Sequence, residues 1–341
     1  AIILAISLAL RLIPPLGNNF YFTMDQGNDA VHVREIWFRH QFPLLGPVTN
    51  IEGLFAGPLW YYFISIGYVL FGGHPFGAVF MMILLNVLLV AVVMLKVRKE
   101  VSSVAALMVG AMLQTSWRFY DASRYGFNPF PLVALSFVLL FLLTDFLRGN
   151  KGKYILAAIP VGLGFHVEIA GSIAFALFYV SIGIWTLMRR RLSYGYFFAG
   201  LGVLLLFFVP HGISEVMTGF SQTQILLKEI HEPNGVLSNT GFHLITPKLF
   251  FIIARNTLRH IPVLGVVAFA LTVLLAFSSW YKTKKIHYFI RDFSTLSLWL
   301  LVVTWGWFGS NTGWREWHTV YLTPVIFVTV LLLLTQIPKN I

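Results

Sequence analysis

Between Phe22 and Trp37 the chain reads FTMDQGNDAVHVREIW, which sets Asp25, Asp29, His32, Arg34 and Glu35 within eleven positions. A carboxylate in such a stretch could serve as general base toward a hydroxyl arriving from water; equally, Asp25 and Asp29 could merely start and cap a helix. Further along, SWRFYDASRYGFNPFP places Arg118, Asp121 and Arg124 just ahead of Asn128 and Pro129. Paired guanidinium donors match phosphate oxygens, although an arginine near a membrane boundary also serves as a snorkelling anchor. Two shorter stretches, GLGFHVE and GWREWHTVYLTP, hold His166 with Glu168 and Arg315 with Glu316 and His318. A His-x-Glu and a Glu-x-His could together ligate a metal, but a hydrogen-bonded pocket lining is the preferred expectation and no metal is assigned.

The elements that position these groups follow from composition. Of 341 residues, 57% are hydrophobic and 11% charged, with mean hydropathy +0.78. Soluble domains carry about 25% charged residues, so the chain is expected to be an all-α polytopic membrane protein. The absence of cysteine excludes disulfides, cysteine-ligated zinc and thiol nucleophiles. No GxxxxGK[ST], GxSxG or HExxH pattern occurs, so nucleotide hydrolysis is not expected.

A net charge of +11 would suit a nucleic-acid partner, but its placement excludes one. The excess lies in Lys96–Lys99, Arg148–Lys153, Arg189–Arg191, Lys282–Lys285 with Arg291, and Lys339. These are short segments beside apolar runs, where the positive-inside rule places Lys and Arg. If all are cytoplasmic, even numbers of spans must separate them. That parity holds except at the start, so one early run must not cross. The segment FAGPLWYYFISIGYVLFGG (55–72), rich in Trp and Tyr and bracketed by Gly-Pro and Gly-Gly, is expected to lie in the outer leaflet. About ten transmembrane helices remain, in one domain spanning 1–341.

The opening apolar run ends near Ile13, short of the ~20 residues a span needs, so the chain is expected to begin inside its first helix. Surface helices are expected in the first outer loop (17–75) and in the long outer loop 211–260. In the first, Gly27 and Asn28 break the chain and Asn28 or Asp29 caps a helix running to His40. Ala30, Val33, Ile36 and Trp37 share its apolar face. In the second, LFFIIARNTLRH has a helical pattern with Arg255, Asn256 and Arg259 opposite the apolar side. Nearly all histidines, and most acids, fall on the outer side.

In order along the chain, Arg11-x-x-Pro14, DQGND…VREIW, PLLGP, GPLWYYF…LFGG, SRYGFNPFPLV, GLGFHVE and WHTVYLTP resemble the membrane glycosyltransferases of the GT-C superfamily. Within it they are most similar to the protein O-mannosyltransferase and lipid A aminoarabinose transferase group. The resemblance implies a cofactor-free, metal-independent inverting transferase in the plasma or inner membrane, working on the extracytoplasmic face. Its donor would be a polyprenyl-phosphate sugar, and its acceptor a lipid, glycan or protein. By this resemblance Asp25 is the general base, with Asp29 or Asp121 as supporting acid. Arg124, Arg34 and Arg315 are candidates for the donor phosphate, and His166, Glu168, Asn128, Glu316 and His318 for the pocket lining. Two departures stand out: Gln26 follows Asp25 where relatives often carry a second acid, and Asn128 occupies the approximate place of another family acid. The alternative is a transporter or flippase for a lipid-linked or small anionic molecule, which would place its cavity and charges near the bilayer midplane.

Overall fold

The structure, a computed structural model, describes residues 2–115, 117–231, 287–308 and 316–336. Their architecture is helical; the one extended pairing among them is an antiparallel bridge between Val48 and Phe55. The elements are α1 (Ile2–Leu16), α2 (Met24–Arg39), α3 (Leu59–Leu70), α4 (Phe76–Glu100), α5 (Ser103–Thr115) and α6 (Trp117–Ala122). They continue with α7 (Leu132–Leu147), α8 (Gly152–Gly164), α9 (Ile169–Met188), α10 (Tyr194–Leu206), α11 (Val209–Met217) and α12 (Ser221–His231). Helix Tyr288–Phe308, a 3-10 turn Glu316–Thr319 and helix Leu322–Leu334 complete the described chain.

α4, α9 and the segment Trp317–Leu334 are long and apolar enough to cross a membrane, and α10 with α11, bent by 52°, makes a fourth span if counted as one. The expected ten spans are therefore not reached among the described residues. The reason is length: α1, α3, α5, α7 and α8 run from 12 to 16 residues. At 1.5 Å per residue these are about 18–24 Å long, against a hydrocarbon core of about 30 Å. The apolar run 261–280 and the surface helix expected at 249–259 lie outside the described residues.

α7 is apolar on every side, and a helix of that kind must be enclosed by protein or lipid. Here it is enclosed by protein. Leu132, Val133, Phe137, Leu139, Leu140 and Leu143 are fully buried as α7 packs on α8, on helix Tyr288–Phe308 and on α4. Phe141 meets Phe289 and Phe293 there, with ring centroids 6.4 and 5.7 Å apart.

The two ends of this bundle differ in chemistry. Where α4 and α7 finish, Lys96 bonds Asp145 at 2.6 Å and Glu100 at 3.4 Å, while Arg148 reaches Glu100 at 2.7 Å. The opposite end, where α7 and α9 begin, carries the histidines and acids singled out above.

Sequence-based expectation and structure part company at α2. The helix begins at Met24, not after Asn28, because Thr23 and Gln26 close a capping box: Gln26 Oε1 accepts from the Thr23 amide (2.9 Å) and hydroxyl (2.6 Å). Asp25 thus sits in the first helical turn, and Gly27 and Asn28 lie within the helix. Of the expected apolar face, Val33 and Ile36 are buried against the protein, whereas Trp37 is exposed.

α3 packs on α4 through two glycines. A Cβ on Gly67 would overlap the backbone of Gly77, and one on Gly77 the backbone of Gly67. Small residues that let helix backbones touch are a common device in membranes, where van der Waals packing drives association. Gly67→Ala should therefore destabilise the protein by about 1–3 kcal/mol. Gly27→Ala, in a helical position where a Cβ meets open space, should stabilise it by up to about 1 kcal/mol. Thermal unfolding of the two variants in detergent should shift in opposite directions.

Candidate active site

The turn between α8 and α9 organises the chemically active end. Four residues, Phe165, His166, Val167 and Glu168, separate the helices, and Glu168 is the N-cap of α9. Its carboxylate accepts from the amides of Ala170 (3.0 Å) and Gly171 (2.5 Å), donors that an apolar helix start would otherwise leave unsatisfied. Burial pushes the Glu168 carboxyl up to about 7, against the lowering effect of those two amides.

Glu168 Oε1 lies 3.9 Å from Nε2 of His318 in the 3-10 turn, so the two ionisable turns, GLGFHVE and WREWHT, do meet. His318 in turn accepts at Nε2 from the Asn50 amide, 3.2 Å away. Asn50 belongs to a tight hairpin, residues 46–56, closed by Gly46 N–Ala56 O (2.7 Å), Ala56 N–Pro47 O (2.8 Å) and Thr49 N–Leu54 O (2.9 Å). The hairpin is braced from behind: Phe55 N donates to Gln222 of α12 at 2.9 Å, and Phe55 O meets Nε2 of His211 in α11 at 3.0 Å.

His166 fixes the end of the hairpin. Its ring is buried, accepts from Leu59 N at 3.4 Å, and occupies the space a Cβ on Gly57 would need. Burial, then the neighbouring His211, lowers its pKa to about 4, so the imidazole is neutral at pH 7. His166 supports the wall formed by Ala56 instead of lining the cavity itself.

α2 docks onto α3 through a buried polar contact. Trp60 Nε1 donates to Asp29 Oδ2 at 2.8 Å, with Trp60 wholly enclosed and Asp29 nearly so. The aromatic start of α3, expected at the headgroup level from its composition, thus packs on protein through Trp60. Burial raises the Asp29 carboxyl to about 7; the Trp60 hydrogen bond opposes this and the charge of Asp25 adds to it.

These elements enclose a cavity of about 280 Å³ bordered by Asp25, Asn28, Asp29, Asn50, Asn128, Glu168 and His318, with Phe127, Trp307 and Trp317 among its apolar walls. Asp25 is solvent-exposed at the N-terminus of α2, where the helix dipole favours an anion. Asn128 donates to Val167 O at 2.6 Å. Five expected residues (Asp25, Asp29, Asn128, Glu168 and His318) therefore converge from four separate stretches of chain.

The arginines do not join them. Arg34 is largely exposed, pairs at 3.9 Å with Glu35, and borders a separate apolar groove between α2 and α3. Arg124 donates to Asn19 O at 2.9 Å and to Tyr120 OH at 3.3 Å, tying the α1–α2 connection to α6. Asp121, at the end of α6, is not part of the cavity lining. Arg315 and the Glu316 side chain lie outside the described residues. Gln26 is buried by its capping role, so the acid sharing the cavity with Asp25 stands four positions away at Asp29, not beside it. Among the described residues no three His, Asp or Glu side chains converge as metal ligands. Sequence reasoning passed over Asn50 and the pairing of Trp60 with Asp29. The Asn50-x-x-Gly53 turn, with Gly53 at φ +79°, was a legible signal for the hairpin.

Residues 56–213, from the end of this hairpin through most of α11, match the family described as dolichyl-phosphate-mannose-protein mannosyltransferase. The fold superposes on the crystal structure of ArnT from Cupriavidus metallidurans bound to undecaprenyl phosphate, with TM-score 0.66 and 15% identity over 99% of this chain and 59% of that one. The apo state of the same protein gives 0.66 and 15% over 99% and 58%. The chain is similar to the GT-C membrane glycosyltransferases. It spans about three fifths of the length of the solved GT-C structures it matches. No curated protein sequence matches it. The family match covers Asn128, His166 and Glu168 and starts after α2, so within this GT-C-like fold Asp25 and Asp29 rest on the geometry above.

The buried carboxyls make stability depend on pH in a defined direction. Asp29 has an ordinary value of 3.8 and about 7 when folded, so the folded state binds the extra proton between those values. Its contribution is complete below about pH 4 and is lost as pH rises through 7. Asp29→Asn, which keeps an acceptor for Trp60 but cannot ionise, should melt with a smaller fall between pH 4 and 7 than wild type.

Proposed function

We propose that the protein transfers a sugar from a polyprenyl-phosphate carrier to an acceptor at the extracytoplasmic membrane face, by a single inverting displacement. The observation carrying this reading is the convergence of Asp25, Asp29, Asn128, Glu168 and His318 on one cavity at the helix ends. A transporter would instead be expected to hold such groups near the middle of its spans. The similarity to the GT-C group and to a structure holding undecaprenyl phosphate supports the choice of donor.

In this mechanism Asp25, exposed at the mouth of the cavity, removes the proton from the acceptor hydroxyl or amine as it attacks the anomeric carbon. Polyprenyl phosphate leaves from the opposite face. Asp29, neutral below about pH 7, can donate a hydrogen bond beside Asp25 without adding a second negative charge. Asn50, Asn128 and His318 present polar groups that orient the sugar. The donor is already activated, so alignment and charge stabilisation remain the main tasks. The cavity lining holds no Arg or Lys among the described residues. The candidates for the leaving phosphate are Arg124 and Arg34, with Arg315, which lies outside the described residues, as a third.

Purified protein, given a polyprenyl-phosphate sugar and a membrane extract as acceptor source, should release free polyprenyl phosphate. Asp25→Asn should lower that rate by about 10²–10⁴-fold while donor binding persists. Equal release by wild type and variant would remove Asp25 as the base.

A further inference from the structure

A second cavity, of about 430 Å³, adjoins the first, with Asn28 and Val48 bordering both. Its wall includes three aromatic faces: Phe42, two-thirds exposed; Phe55; and Tyr61, which stacks on His32 with centroids 4.7 Å apart and planes 24° from parallel. Its polar groups come from Asn28, His32, Tyr61 and Ser214. None of these four side chains makes a hydrogen bond to the described protein. Tyr61 and Ser214 are both more than nine-tenths buried as residues, and each borders the cavity. Among the described residues no Asp, Glu, Lys or Arg lines this space. Burial holds His32 below its usual value, against the pull of Glu35, so the ring is neutral at pH 7 and can both donate and accept.

That combination selects a ligand class. Volumes of about 300–1,000 Å³ with apolar walls and a few convergent polar groups are typical of small-molecule sites. The exposed Phe42 ring carries negative π-density that suits the polarised C–H groups of a sugar ring, while scattered neutral donors and acceptors suit its hydroxyls. A described lining without charged side chains suits a neutral ligand better than phosphate or uronate. Asp25, Asn28 and His32 are spaced i, i+3, i+7 on α2, one face of the helix, and span about 10 Å along its axis. A chain of more than one pyranose ring lying on this face would place its end at Asp25.

We propose that the cavity at His32, Phe42 and Tyr61 is a binding subsite for a neutral saccharide, the glycan portion of the acceptor. The inference rests on the transferase reading for its role, but saccharide binding itself is measurable without any donor.

The test is saturation-transfer NMR on the full chain in detergent, with mannotriose, maltotriose and chitotriose as probes and a uronate trisaccharide as charged control. A neutral trisaccharide should bind, with transfer strongest to ring C–H protons. Phe42→Ala and His32→Ala should each weaken binding roughly 3- to 10-fold, the range expected for loss of one aromatic contact. Tyr61→Phe, which keeps the stack and removes one hydroxyl, should weaken it without lowering the melting temperature. Absence of binding by every neutral probe, unchanged binding in both alanine variants, or stronger binding of the uronate would overturn the assignment. The same glycan on a short lipid in nanodiscs separates sources: tighter binding, again lost in the variants, assigns a lipid-borne acceptor, and equal binding a free or protein-borne glycan. Polyprenyl-phosphate release measured on the same preparations reports separately on the transferase reading. Release without saccharide binding overturns the subsite alone; binding without release overturns the transferase reading and leaves the subsite standing.

Discussion

A helix that starts at a membrane boundary exposes amide N–H groups where water is scarce, and each must find an acceptor. α9 solves this with the Glu168 carboxylate, and the solution organises its surroundings. Because the carboxylate faces two amides, its remaining edge can only look toward the 3-10 turn, where His318 stands. His318 anchors Asn50, and so the hairpin takes its place as the cavity wall. Two residues earlier, His166 seats the start of α3. Three consecutive residues of one turn thus hold two other segments that are distant in sequence.

The second support is the Asp29–Trp60 bond. Leaving either partner unmatched in so enclosed a place is costly, so α2 has one favourable rotation on α3. In that rotation Val33 and Ile36 point inward, and Asp25, Asn28 and His32 point toward the two cavities. A neutral carboxyl at Asp29 reconciles the burial with the nearness of Asp25. One helix therefore supplies an exposed acid and, a single turn away, a buried one whose value burial raises to about 7, a division set by environment and not by residue type.

Much of this was readable beforehand, in ways that differ by residue. Asp25 and Asp29 were conspicuous because a chain so poor in charge placed them together, and Glu168 and His318 because charge at the end of an apolar helix needs a reason. That they would share a cavity was not readable: the two turns are separated by about 150 positions, and nothing local links them. The start of α2 was misread because Gly27 and Asn28 look like breakers, whereas Thr23 and Gln26 form the stronger signal. Trp60 was assigned to the headgroup region on composition, which cannot register a buried partner. The arginines illustrate a further limit. Local motif and resemblance suggest arginines near a membrane boundary, but the direction of a long side chain depends on which carbonyl or ring lies within reach, and for Arg124 those are Asn19 and Tyr120.

The contact between Gly57 and His166 bears on how sequences of this kind can diverge. The imidazole fills the room that any side chain at position 57 would occupy. The two sites therefore form one unit of variation: position 57 can gain a side chain only where position 166 gives up a ring. A smaller residue at 166 would in turn leave the Leu59 amide without its acceptor. Among divergent sequences with this fold, changes at 57 and 166 should appear together or not at all, and a lineage that altered both would need a new partner for the first turn of α3.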